Sequence, residues 1–196
     1  MRKSIIWIAV IIILVLIILL SLPRSYNKMV TFEENVTKQW AQVENVYQRR
    51  ADLIPNLVAT VKGYAEHERS TFTEVTEARS RATSVKIDPA NLNEASLAQF
   101  QEAQNNLSSA LSKLLVVVER YPDLKANQNF LDLQAQLEGT ENRITVERNK
   151  FNETAREYNT YIRRFPNNLI AGMFGFDKKA YFEAAAGSEK APEVKF

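Results

Sequence analysis

An unbroken apolar run near the N-terminus constrains this chain more than any other feature. From Ile5 to Leu20 every residue is Ile, Trp, Ala, Val or Leu, and Ser21 and Leu22 extend the run before Pro23 and Arg24 end it. At ~1.5 Å per residue, Ile5 to Leu22 reach ~27 Å, close to the ~30 Å hydrocarbon core of a bilayer. A helix buried in a protein core would keep a polar stripe, and this run has none. A cleaved signal peptide would carry ~7–15 apolar residues and a small-x-small cleavage site. Ser21-Leu22-Pro23-Arg24-Ser25 is a poor one, and no cysteine is available for lipid attachment. Residues 1–24 are therefore expected to form an uncleaved anchor that meets lipid through residues 4–22. Arg2 and Lys3 precede the run and Arg24, Lys28 and Lys38 follow it. This small asymmetry leans toward a cytoplasmic N-terminus and an exported domain.

The remainder reads as water-soluble and helical. Its charges nearly balance, 25 Lys+Arg against 23 Asp+Glu for a net of +2, so nucleic acid is not an expected partner. The absence of cysteine excludes disulfides, thiolate metal sites and cysteine nucleophiles. Five glycines and six prolines in 196 residues leave room for long helices. Val36, Trp40, Val43, Tyr47, Ile54, Leu57, Val61, Tyr64, Phe72, Val75 and Ala82 follow a helical period, not a strand period. They predict a helix from about Asn27 to Ala82, with Pro55 either kinking it or starting a new helix. Unbroken, it would be a stalk ~84 Å long. Asp88-Pro89-Ala90-Asn91-Leu92-Asn93 predicts a turn. A second stripe, Phe100, Ala103, Leu107, Leu111, Leu114, Val118 and Tyr121, stops at Pro122. A third runs through Phe130, Leu133, Leu137, Ile144, Phe151, Ala155, Tyr158, Ile162 and Phe165. The expected fold is all-α: a long antiparallel bundle of three to four helices over residues 25–183, behind one N-terminal transmembrane helix. Residues 184–196 are expected to be a disordered tail.

Charges interrupt the apolar seams at Arg50, Glu68, Glu141 and Arg148. A lone buried ion costs several kcal/mol, so such charges must pair or stay in water. Two readings remain open. Arg49, Arg50, Asp52, Glu68, Glu141 and Arg148 form an internal ion-pair network that sets helix register, or part of this set is a ligand site. His67 is the only histidine. Without a second histidine or a cysteine it is expected to be solvated or capping, not a metal ligand. Glu66 and Glu68 beside it are expected on different sides of a helix. No nucleophile elbow or glycine-rich phosphate loop occurs, so no catalytic residue, cofactor or enzymatic activity is expected. Trp40, Tyr47, Tyr64, Phe72, Phe100 and Tyr158 are expected in the core. The apolar, glycine-broken segment 166–182 carries Leu169, Ile170, Met173, Phe174 and Phe176. It is expected either to meet lipid headgroups or a partner, or to cap the end of the bundle.

Several of these residues stand in a longer pattern. Gln48-Arg49-Arg50-Ala51-Asp52-Leu53-Ile54-Pro55-Asn56-Leu57-Val58 is continued by Val61-Lys62-Gly63-Tyr64-Ala65 and His67-Glu68. Glu119-Arg120-Tyr121-Pro122-Asp123-Leu124-Lys125-Ala126-Asn127 follows, then Glu141-Asn142 with Ile144, then Phe165-Pro166-Asn167-Asn168. In this order behind an N-terminal anchor, the pieces resemble the LemA family over nearly the whole chain. The resemblance implies a bacterial, membrane-associated protein with a long helical bundle behind one membrane helix, and no established catalytic activity. The expected role is a membrane-anchored scaffold or adaptor that acts on protein partners through contacts. The alternative is a membrane-surface-binding or membrane-shaping protein. That role calls for a basic stripe along one long face, and Lys62, Lys86, Lys113, Arg143 and Lys150 are scattered.

Overall fold

A computed structural model describes residues 2–183, apart from the side chains of residues 2–5 and 8–21. The expected tail at 184–196 lies outside that description, and of the expected anchor at 1–24 the helical backbone from Arg2 on is described but most side chains are not. Among the described residues, no helix is long and apolar enough to cross a membrane. The chain is all-α, with no strand among the described residues. Its helices are α1 (Arg2–Lys62), α2 (Arg69–Ser84), α3 (Glu94–Val118), α4 (Pro122–Lys125), α5 (Gln128–Arg163) and α6 (Asn167–Phe174), with a 3-10 turn at Pro89–Asn91.

The long axis is an antiparallel pair of α1 and α5. Phe32 meets Tyr161 at 5.1 Å between ring centroids, and Gln39 Nε2 donates to Glu147 at 2.7 Å. At the far end Asn127, the N-cap of α5, donates to the Tyr64 hydroxyl at 2.9 Å. The hairpin of α2 and α3 lies against the distal part of this pair. The core therefore forms two apolar clusters stacked along the axis. The distal cluster joins Ile54, Leu57 and Val61 of α1 to Phe72 and Val75 of α2, Leu107 and Leu114 of α3, and Phe130 of α5. The basal cluster joins Met29, Val36, Trp40 and Tyr47 to Phe151, Tyr158 and Ile162, with Leu92, Phe100, Ile170 and Phe182 closing it.

Side-chain caps mark the starts of α3, α5 and the 3-10 turn. Asn93 and Ser96 form a reciprocal capping box at α3, and Asn127 Oδ1 accepts from Phe130 N at 3.1 Å at α5. Asp88 Oδ1 accepts from Ala90 N at 3.0 Å within the expected turn. Each such cap satisfies an N–H that the helix itself leaves without a partner.

The single stalk expected over Asn27–Ala82 is instead two antiparallel helices. The chain reverses between Gly63 and Glu68. A glycine inside a helix costs ~1 kcal/mol relative to alanine, and Glu66-His67-Glu68-Arg69-Ser70 offers no apolar contact to hold a straight rod. Folding back lets Leu57 and Val61 share one core with Phe72 and Val75, which an extended helix would leave in water. Tyr64, expected in the core, sits on this turn and is 44% exposed. Glu66 and Glu68 lie on the turn and not on a helix. Phe165, expected to end the last buried stripe, lies beyond α5 and is 82% exposed.

Pro55 neither breaks α1 nor starts a helix; α1 runs through it. Proline has no N–H, so the carbonyl four residues earlier, on Ala51, loses its helical partner. Arg79 of α2 fills the gap: its Nε donates to Ala51 O at 2.7 Å. The defect in one helix thus becomes the docking point of the next. Arg79→Ala is expected to cost about 1–2 kcal/mol in chemical denaturation. In a Pro55→Ala background the restored N–H recaptures the carbonyl, and the same substitution should cost less than about 0.5 kcal/mol. Equal costs in the two backgrounds would contradict this account.

Candidate functional site

A polar layer separates the two apolar clusters, and Arg50 is its centre. The side chain projects from α1 at the seam and is only 2% exposed. Its Nη1 donates to Ser108 Oγ at 3.0 Å and to Glu141 Oε2 at 2.9 Å. Its Nη2 donates to Gln104 Oε1 at 2.7 Å. Gln104 Nε2 in turn donates to Ala82 O at 3.1 Å, near the C-terminal end of α2. One guanidinium therefore ties α1 to α3 and α5 directly and to α2 through Gln104. The planar fork of arginine suits this task, since its donors point in fixed directions. The guanidinium carbon also lies 5.2 Å from the centre of the Tyr47 ring. Burial pushes the Tyr47 phenol above its usual pKa, against the opposing charges of Arg148 and Arg50.

Of the six charged residues that the sequence singles out, the structure brings together Arg50 and Glu141. Arg148 flanks the layer, close enough for its charge to act on the Tyr47 phenol, and the other three lie elsewhere. Glu68 pairs with Arg120 at 2.9 Å at the distal turn. Asp52 accepts from Gln48 Nε2 at 2.7 Å on its own helix, and Arg49 is exposed. Arg148 donates to the backbone oxygen of Glu183 at 2.7 Å and lies 4.8 Å from the Phe182 ring centre. Beside the Arg50 layer opens a cleft of about 360 Å³ whose wall includes Glu44, Tyr47, Lys86 and Gln104. Burial raises the Glu44 carboxyl above its usual pKa, opposed by the nearby Trp40 indole and the charge of Lys86. His67 is exposed. Among the described residues, no cluster of three or more His, Asp or Glu side chains is placed to hold a metal ion.

The C-terminal segment divides into a strap and a helix. Gly175 ends α6 at φ +75°, a left-handed conformation that favours glycine. It sends residues 176–183 back along the bundle. Two asparagines of α5, seven residues apart and so on one face, hold this strap. Asn152 Nδ2 donates to Phe182 O at 2.9 Å, and its Oδ1 accepts from Phe182 N at 2.8 Å. Asn159 does the same with Lys179, at 2.8 and 2.9 Å, and also donates to the Tyr181 hydroxyl. Each carboxamide completes both hydrogen bonds of a strap residue, as a neighbouring strand would. Lys179 Nζ reaches Glu33 at 2.8 Å and donates to Ala90 O at 2.9 Å. Phe182 stacks on Trp40 at 6.0 Å and meets Phe151 edge-on at 5.5 Å. Gln104, Ser108, Asn152, Asn159 and Lys179 carry much of this geometry and do not stand out in the sequence. The one signal is that Asn152 and Asn159 flank the apolar stripe Phe151, Ala155, Tyr158.

Of the expected contact residues on this segment, Ile170 is buried and Phe176 is half-buried. Leu169, Met173 and Phe174 are exposed, at 59%, 75% and 55%. The segment therefore caps the basal core with one face and presents apolar side chains with the other. Tyr26 of α1 packs against Phe174 at 5.0 Å and Phe176 at 5.5 Å. This fixes α6 beside the point where the apolar N-terminal run enters the bundle.

The chain is similar to curated bacterial proteins over most of its length. Magnetosome protein MamQ 2 of Paramagnetospirillum magneticum is 27% identical over 183 residues, covering 83% of this chain and 66% of that protein. Magnetosome protein MamQ of Magnetospirillum gryphiswaldense is 27% identical over 187 residues, covering 85% and 68%. Protein LemA of Metamycoplasma hominis is 21% identical over 159 residues, covering 81% and 69%. The chain thus spans about two thirds of the length of these relatives. The LemA family model matches residues 39–196, which take in the Arg50 layer, the distal cluster and the asparagine-held strap. With four fifths of its sequence inside that match, the chain belongs to the LemA family.

Proposed function

We propose that this protein is a membrane-anchored scaffold that acts through protein–protein contacts. The observation that carries the reading is the continuity of α1. The apolar run Ile5–Leu20 and the spine of the bundle belong to one helix, Arg2–Lys62. With the run in a bilayer, Lys62 stands about 60 Å along the helix from Leu22. The two cores, the Arg50 layer and the strap make the bundle a rigid spacer, suited to presenting a surface at a fixed height. Its distal end exposes Tyr64, Val116 and Leu131, at 44%, 69% and 42%. Relatives named for the magnetosome and the membrane association implied by the family support placement at a membrane. No reaction is assigned: the role rests on contacts.

Copurification of the full-length chain in mild detergent tests the reading. A stoichiometric protein partner is expected. Val116→Asp together with Leu131→Asp should lose it while leaving the melting temperature nearly unchanged, because both side chains are exposed. Recovery of the chain without any stoichiometric partner would count against the scaffold role.

A further inference from the structure

We propose that the basal end of the bundle lies on an anionic bilayer surface, with the exposed side chains of α6 dipped into the headgroup layer. The inference rests on the membrane anchoring proposed above and adds a second, separate contact with lipid.

Three observations carry it. The first is an apolar wedge. Phe165, Leu169, Met173 and Phe174 are all more than half exposed, and Leu169 and Met173 share one face of α6 at a spacing of four. Ile170 and Ala171 are buried on the other face and fix the wedge to the bundle. Four large apolar side chains exposed together at one end of the bundle mark an interaction site.

The second is position. Phe174 lies against Tyr26, and Tyr26 is about 9 Å along α1 from Leu20, the last residue of the all-apolar run. Each headgroup layer of a bilayer is about 5–7 Å thick. With Leu20 at the hydrocarbon boundary, α6 therefore stands at the outer edge of the headgroups, within reach of its own bulky side chains. Tyrosine beside it is a residue favoured at that depth.

The third is charge. Residues 22–32 and 160–176, at the basal end, hold Arg24, Lys28, Arg163 and Arg164 and no carboxylate. Arg156, next up α5, stands between Glu157 and its ion-pair partner Glu153 at 3.2 Å. The whole chain has a net charge of only +2, so the positive charge is concentrated at this end. Lys28, Arg156 and Arg164 line a groove of about 520 Å³ with Phe32 and Tyr161, and Lys28 Nζ lies 5.3 Å from the Tyr161 ring centre. A cationic rim around an apolar wedge matches a surface where phosphates and acyl chains lie side by side.

The full-length chain contains no cysteine, so Met173→Cys accepts one environment-sensitive fluorophore. Lys62→Cys, at the distal end, provides the control. Each labelled protein is reconstituted into vesicles of phosphatidylcholine with phosphatidylglycerol. The label at 173 is expected to emit to the blue and to lose most of its fluorescence to lipids spin-labelled near the headgroup, whereas the label at 62 stays water-like. Lys28→Gln with Arg156→Gln and Arg164→Gln should reduce that quenching to the level found in pure phosphatidylcholine vesicles. A label at 173 as water-like as the one at 62, in protein that floats with the vesicles, overturns the inference and leaves the anchor standing. A blue-shifted label that lipid quenchers do not reach means that a second copy covers the face, and also overturns it. Protein that does not float with vesicles removes the anchor and this contact together.

Discussion

Removing the half-exposed Glu141 is expected to destabilise the protein more than replacing the fully buried Arg50 with methionine. The side chain of Glu141 is 57% exposed and that of Arg50 is 3% exposed. Glu141→Ala leaves a guanidinium enclosed between two apolar clusters with only neutral partners, Ser108 and Gln104. Stranding a buried charge in this way costs about 3 kcal/mol. Arg50→Met fills most of the same volume and frees a carboxylate that water can solvate. What remains is the unpaired Gln104 Oε1, a penalty of about 1–2 kcal/mol. The double variant should resemble Arg50→Met alone, because Glu141 has no other work to do once the cation is gone. Chemical denaturation followed by circular dichroism measures all three. Additive losses, or a larger loss for Arg50→Met than for Glu141→Ala, would contradict this view of the layer. A stable Arg50→Met variant that has lost cellular function would instead point to a ligand site.

The combined substitution Asn152→Ala with Asn159→Ala is expected to release the strap. Each change leaves a backbone N–H, of Phe182 or Lys179, unpaired where Phe182 and Lys179 are otherwise buried. At about 1–3 kcal/mol per stranded group, the pair removes enough stability for a short terminal segment to detach while the helices persist. Hydrogen exchange then shows fast amides at Lys179 and Phe182 and continued protection in α5. Retained protection at both strap amides would mean that Phe182 on Trp40 and Lys179 on Glu33 suffice by themselves. Asn159→Asp separates the two halves of the interaction, since its oxygen still accepts from Lys179 N but nothing donates to Lys179 O.

What the sequence made legible follows from whether a residue acts within its own helix or across to another. The stripes of α3 and α5, the turn at Asp88–Asn93 and the stop at Pro122 are local signals, and each has its counterpart in the structure. The stripe of α1 continues in phase into α2, so periodicity alone merges two antiparallel helices into one; only Gly63 and the polar residues after it mark the reversal. Arg50 and Glu141 were visible because a charge on an apolar seam demands a partner. Gln104 and Ser108 were not, because polar residues beside a stripe look like any solvated face. The acceptor for Arg148 is a backbone oxygen of the strap, which residue identity cannot announce. Pro55 carried more information than its residue type implies, since the carbonyl it frees tells where a donor from another helix must arrive.

The account turns on the apolar run of residues 5–22 being embedded in lipid as the base of a rigid bundle. Alkaline carbonate extraction of membranes from cells making the full-length chain addresses this directly. The protein should stay in the membrane pellet, since about eighteen apolar residues in one helix are enough to span a bilayer. Release of most of the chain into the carbonate supernatant would contradict the anchor and, with it, the fixed-height scaffold.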